Sequence, residues 1–236
     1  MTNSVIQMRN LVIAAESLGG AEAALACCRA ILEVFRARPT GLIIEPDAAA
    51  LQIGPGHRLV SSSGALIAFP SQNRLRRIAK ADADQFRRRL SSVASEMKTD
   101  WACELKTGEL VSAACAKIGE ADILVLGQRP MQARRGKVLL LEAEGGASEA
   151  SHSLAQTMAR GVSTAVLPLR AERQTEPAAL VDLVDRHYAS AVVVDLGDGP
   201  FRSEDDLRQL FAAARCPLAV LGAGRLRHDK GEDAQE

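Results

Sequence analysis

The sequence predicts an α/β protein in which parallel strands are covered by helices on both faces. Three observations predict it. Short apolar runs at 11–15, 123–126 and 218–221 show no alternation, as strands buried on both faces do. Amphipathic stretches of helical period separate these runs. One acidic residue followed by a glycine pair occurs twice, each time just after an apolar run.

The elements follow in order. After the 11–15 run, Gly19-Gly20 breaks the chain, and Ala21, Ala24, Leu25, Cys28, Leu32 and Phe35 mark one helix face up to Pro39. A second strand at 42–44 is closed by Pro46. Residues 47–72 hold Gly54-Pro55-Gly56 and a serine run without periodicity, so they read as an irregular insertion. A long helix over 73–98 carries the stripe Leu75, Ala79, Ala83, Phe86, Leu90, Val93 and Met97. Its other face holds Arg74, Arg76, Arg77, Lys80, Arg87, Arg88 and Arg89. A strand at 101–105, a helix at 109–119 and a strand at 123–126 complete residues 1–130.

Beyond a basic link at 130–136, strands are expected at 138–141, 164–167, 191–194 and 218–221. Helices are expected at 148–159 and 177–188, the latter with proline in its first turn. Another is expected after Ser203, an N-cap followed by Glu204, Asp205 and Asp206. It buries Leu207, Leu210, Phe211 and Ala214. Residues 136–223 thus form a second, shorter half, and 224–236 read as a flexible charged tail.

The halves repeat. Glu16-Ser17-Leu18-Gly19-Gly20-Ala21 matches Glu142-Ala143-Glu144-Gly145-Gly146-Ala147. Ala37-Arg38, strand and Pro46 match Ala159-Arg160, strand and Pro168, with four residues fewer between the two matches in the second half. A shortfall of about one helical turn leaves the buried face unchanged.

Composition excludes several functions. Lysine plus arginine equals aspartate plus glutamate at 29 each, and aromatic residues are 3%, so neither nucleic acid nor membrane surface is an expected partner. No apolar stretch reaches bilayer length, and no leader peptide is visible, which predicts a cytoplasmic protein. The five cysteines (Cys27, Cys28, Cys103, Cys115, Cys216) have no metal spacing and read as buried thiols. The four histidines (His57, His152, His187, His228) lie far apart, and His152 is expected on an exposed helix side. No nucleophile, zinc or Walker motif is present, so no catalytic residue and no metal ligand is assigned.

Several stretches resemble the universal stress protein family. Residues 10–17, ending in Glu16-Ser17 and followed by an alanine-rich helix, are similar to the family's first strand, acidic residue and helix. Residues 108–127 resemble its glycine, helix, acidic residue, strand and glycine, and 215–221 its closing strand. The resemblance covers most of 9–127 and, more weakly, 136–222. It implies Rossmann-like, adenine nucleotide alpha hydrolase-like parallel sheets in a tandem pseudo-two-fold repeat. Each half is abbreviated: the first lacks the last helix and strand, the second lacks the long second helix and third strand. The two halves are expected to complete one another.

The resemblance implies ligand-binding candidates at carboxyl ends of strands: Glu16, Ser17, Gly19, Gly20, Ile44, Gly127, Gln128, Arg129, Glu142, Gly145 and Gly146. Glu16 would accept ribose hydroxyls and Arg129 would meet phosphate. The plain reading of the glycine pairs is a tight strand–helix turn, and of Arg129 a solvated link. The family's later glycine–hydroxyl signature is missing after Gly127 and after Gly197. The expectation is therefore a non-catalytic regulatory or stress-response module with nucleotide binding reduced or lost and no obligatory cofactor. An ATP- or AMP-binding sensor is the first alternative, and a nucleotide-processing enzyme the second. A homodimer or other protein partner is expected, because family members pair through their last strand and 218–221 would otherwise be a bare edge.

Overall fold

The computed structural model describes residues 10–35, 37–46, 58–60, 65–68, 71–129, 136–142, 145–170, 176–197 and 200–227. The apolar runs become strands of one eight-stranded sheet. The first half supplies β1 (Asn10–Ala15), β2 (Arg38–Pro46), β5 (Ala102–Gly108) and β6 (Ile123–Gly127). The second supplies β7 (Lys137–Glu142), β8 (Val166–Arg170), β9 (Ala189–Asp195) and β10 (Leu218–Leu221). Strand order is β5-β2-β1-β6-β10-β9-β7-β8. In this sheet the strands of each half pair in parallel, and the β6–β10 seam is antiparallel. The carboxyl ends of the two strand sets therefore point in opposite directions. This is a Rossmann-like α/β fold.

Alternate strand residues feed two cores, as a two-residue period requires. Leu11, Ile13, Val125, Val138 and Val193 face α1 (Leu18–Phe35), α2 (Gln72–Met97) and α4 (Glu149–Gly161). Val12, Leu124, Leu139 and Val192 face α3 (Leu110–Cys115), α5 (Pro177–Asp185) and α6 (Glu204–Ala214). The α2 stripe buries Ala79, Ala83, Phe86, Leu90 and Val93, while Leu75 and Met97 are half-buried. The α6 N-terminus has the expected Ser203 cap, closed by Asp206 into a reciprocal box.

Several expectations are corrected. Residues 218–221 are not an edge: β10 lies between β6 and β9, so the first half's β6 fills the place assigned to a second copy. The expected insertion is not wholly irregular, since β3 (Arg58–Val60) and β4 (Leu66–Ala68) pair antiparallel; Gly54-Pro55-Gly56 and His57 lie outside the described residues. Pro39 does not end α1 but sits inside β2, on an element that begins at Arg38. The 109–119 helix shrinks to Leu110–Cys115, because Gly119 and Asp122 form a turn there (Gly119 N–H to Asp122 Oδ2, 2.9 Å). The 164–167 strand moves to Val166–Arg170, and the 177–188 helix stops at Asp185. The tail begins later than residue 224: Ala223–Arg227 form a 3-10 turn with Ala223 and Leu226 buried, and 228–236, with His228, lie outside the described residues.

The repeat in topology is not a repeat in alignment. Arg38 opens β2, whereas its sequence match Arg160 lies in the last turn of α4. Pro46 ends β2, and Pro168 is in the middle of β8.

Candidate functional site

In a doubly wound sheet, ligands gather at carboxyl strand ends where the winding reverses. Two such places exist, one between β1 and β6 and one between β7 and β9.

The first is crowded by backbone. Gly20 lies in the first turn of α1, and a Cβ there would stand 2.5 Å from the Gly127 carbonyl oxygen. A Cβ on Gly127 would stand 2.5 Å from the Gly20 oxygen. The pair thus lets the start of α1 rest directly on the end of β6. Gly19 faces the Arg129 stem, whose Cδ would be 3.2 Å from an added Cβ. Ser17 caps α1: its carbonyl accepts from Ala21 N–H (3.0 Å) and its Oγ from Gly20 N–H (3.3 Å). Leu18 N–H donates to Asp82 Oδ2 of α2 at 2.9 Å. The helix N-terminus, a natural place for an anion, already holds one.

Glu16 lies exposed at the mouth of this place. Loss of surrounding water pushes its carboxyl above the usual range, and the Glu109 carboxylate adds to the shift. Glu109 is itself held low: desolvation opposes ionisation, but the Ser112 and Val111 N–H groups and Arg208 outweigh it. It caps α3 through both N–H groups at 2.9 Å. Arg208 of α6 bonds Glu109 (3.0 Å), Ser112 (2.7 Å), Glu204 (3.0 Å) and Asp205, tying α3 to α6. Gln128 is half-buried, and its buried Oε1 has no hydrogen-bond partner among the described residues. Ile44 is fully buried, its side chain packed in the α3-side core.

The second place is built differently. Glu142 ends β7 with only 3% of its surface exposed. It accepts from Arg170 Nε at 2.9 Å and lies 3.4 Å from His152 Nε2. His152 is on the exposed side of α4, as expected. Gly145 and Gly146 precede α4 instead of entering it, and a Cβ on either meets nothing within 4 Å. Gly146 has φ +89°, which requires glycine. The matched glycine pairs therefore have different uses: contact in the first half, turn geometry in the second.

Asp195, ending β9, stands at the N-terminus of α4. Its Oδ2 accepts from Ser148 Oγ (3.0 Å) and Ser151 Oγ (3.2 Å), and its Oδ1 from Gly197 N–H (2.9 Å). Ser148 caps the helix through the Ser151 N–H at 3.1 Å. An internal carboxylate again stands beside the helix N-terminus, held here by hydroxyls rather than by the helix N–H groups.

The structure brings Glu16, Ser17, Gly19, Gly20, Gly127, Gln128 and Arg129 to one crevice, and Glu142, Gly145 and Gly146 to another. The sequence reading missed Asp82, Asp195, Ser148, Ser151, Arg170 and the pairing of His152. Asp195 had a usable signal, an acidic residue closing an apolar run, the pattern that singled out Glu16. Asp82 had none, since its partner lies 64 residues away.

Of the cysteines, Cys27, Cys28, Cys115 and Cys216 are buried, and Cys103 is half-exposed, unlike the expectation for it. Burial pushes the Cys27 and Cys216 thiols up to about 12 and raises Cys28 as well, which disfavours the reactive thiolate at the adjacent Cys27-Cys28 pair. Among the described residues no group of three His, Cys, Asp or Glu side chains could hold a metal ion. Nor is any described helix long and apolar enough to cross a membrane.

No protein-family model matches the chain, and no curated protein matches it. Solved structures do. A functionally unknown protein from Pseudomonas aeruginosa PAO1 is 10% identical with a TM-score of 0.46, covering 100% of both chains. A universal stress protein from Archaeoglobus fulgidus DSM 4304 is 9% identical with a TM-score of 0.41, over 92% of this chain and 98% of that one. A universal stress protein family protein from Arabidopsis thaliana, with AMP bound, is 12% identical with a TM-score of 0.31, over 69% of this chain and 92% of that one. At such identities the likeness concerns the fold alone, and the α/β architecture above stands on its own strand order.

Proposed function

We propose that the chain is a universal-stress-protein-like, non-catalytic regulatory or stress-response module of the cytoplasm. It acts by binding a protein partner or a second copy of itself, and adenine-nucleotide binding is reduced or lost. One observation carries this reading. At both places where the winding reverses, one of the chain's own carboxylates stands at the helix N-terminus that would face a ligand phosphate: Asp82 accepts the Leu18 N–H at α1, and Asp195 accepts the Ser148 and Ser151 hydroxyls at α4. A phosphate entering either place would have to displace a hydrogen-bonded anion or sit beside it against like-charge repulsion. The contact between Gly20 and Gly127 further closes the first crevice. The shared order of strand, helix and strand at the start of each half supports an origin by duplication, with each half since abbreviated.

Calorimetric titration and thermal unfolding with ATP and AMP test the reading. The expected result is no heat of binding and no rise in Tm. A ligand at 100 times its Kd stabilises by about 2.7 kcal/mol, so micromolar binding would be plain in either measurement and would overturn nucleotide loss.

A further inference from the structure

The two outer strands of the sheet are unlike. β8 carries an exposed proline, Pro168, and a charged end, Arg170, both features that discourage strand addition. β5 is longer, seven residues without proline, and among the described residues it pairs with β2 alone. Its outer backbone groups face away from the sheet. At its centre Leu105 is 38% exposed, an unusual surface position for leucine in the middle of a strand.

Side-chain alternation sorts β5 into two faces. Cys103 packs against the α2-side core, so Leu105 and Thr107 share that face. Glu104 and Lys106 lie on the α3 side, where Lys117 Nζ donates to Glu104 Oε1 at 2.6 Å. Lys106 is exposed, and after Lys117 its charge also helps hold the Glu104 carboxyl below the usual range.

We propose that the β5 edge joins two copies of this chain, antiparallel, about a two-fold axis that passes through the Leu105 pair. The surface gives the self-association in the reading above a place, and it rests on that half of the reading only. Three features select the register. Centring on Leu105 pairs the whole strand, Ala102 with Gly108 and onward, and so satisfies the most edge backbone. It sets Glu104 of each copy opposite Lys106 of the other, twice. It buries the exposed Leu105 against its own equivalent. An axis through residue 104 would face glutamate with glutamate, and one through 106 lysine with lysine. An axis perpendicular to the sheet keeps like helix layers on the same side, so the assembly continues the α/β sandwich.

Size-exclusion chromatography with light scattering on the full chain tests this through micromolar concentrations. The wild type should run at twice the mass of the single chain. Lys106→Glu alone and Glu104→Lys alone each set like charges opposite one another, and each should be monomeric while retaining its circular dichroism spectrum. An equimolar mixture of the two variants restores both opposite-charge pairs and should regain the dimer. A monomeric wild type overturns the proposal. So does a dimer that survives Lys106→Glu, or a mixture that stays monomeric. None of these outcomes bears on the nucleotide titration, so the two readings fail separately.

Discussion

The crevices at β1/β6 and β7/β9 occupy matching topological positions and begin from nearly the same six residues, yet they are built in opposite ways. In the first, glycine removes side chains so that helix and strand backbones touch. In the second, glycine supplies a turn in open space, and the helix starts later, at Glu149. The acidic residues diverge likewise. Glu16 is exposed beside another carboxylate, whereas Glu142 is buried against Arg170 and His152. What the two crevices share is an internal anion at the helix N-terminus, delivered from different elements: α2 in one case, β9 in the other. The two halves thus bring a carboxylate to a helix N-terminus from unlike parts of the chain.

The sharpest break of the comparison is a single methyl group. Gly20→Ala and Gly127→Ala each drive a Cβ to 2.5 Å from a backbone oxygen that cannot swing aside. Each should cost about 1–3 kcal/mol, the usual range for overpacking. Gly145→Ala adds the same methyl to open space and should change stability by less than about 0.5 kcal/mol. Urea midpoints of the variants measure the difference. Equal effects at Gly20 and Gly145 would mean that the crevices are alike after all.

The next largest effect concerns the internal anions. Asp195→Ala removes the carboxylate that both hydroxyls share: Ser148 Oγ keeps the Ser151 N–H, but the fully buried Ser151 Oγ keeps only Ser148 Oγ, 2.8 Å away. The expected cost is about 1–3 kcal/mol. Asp82→Ala removes one cap bond from α1 and should cost about 0.5–2 kcal/mol. Both variants should become stabilised by added sulfate more than the wild type is, because the helix N-terminus is now vacant for an anion. Sulfate-dependent melting curves that match the wild type would show that these carboxylates do not guard the crevices.

Much of the fold was legible because it depends on local pattern. Runs such as 11–15 and 123–126 lack alternation because both faces of those strands are covered, and the α2 stripe appears because only one face of that helix is. The place of β10 was not legible. Whether an apolar strand ends a sheet or joins two halves depends on what lies beside it, and Leu218–Leu221 reads the same in either setting. The candidate sites were half legible. Glu16, Gly20 and Gly127 stand where the spacing put them, but Gly145 and Gly146 share the motif without sharing the contact. A glycine pair states that something needs the absence of a Cβ. It does not state whether that is a neighbour's backbone, as at Gly20, or a positive φ, as at Gly146.

The smallest expected effect separates Glu16 from a purely structural turn residue. Its carboxyl is raised in the folded chain, so folding favours the protonated form. Below the ordinary glutamate range both folded and unfolded chains hold the proton, and Glu16 then costs nothing. As pH climbs through that range and past the raised value, the folded chain must ionise Glu16 close to Glu109, and stability declines. Glu109 has the opposite slope: its lowered carboxyl contributes stability above the ordinary range, lost as pH falls through the lowered value. Glu16→Gln should therefore stabilise at neutral pH by less than about 0.5 kcal/mol, as befits an exposed group, and have no effect in acid. Combining it with Glu109→Gln isolates the mutual repulsion, since the gain from Glu16→Gln should shrink once Glu109 is neutral. Denaturation midpoints across pH give the answer. A Glu16→Gln gain that persists unchanged in acid, or in the Glu109→Gln background, would trace the effect to packing at the turn rather than to charge.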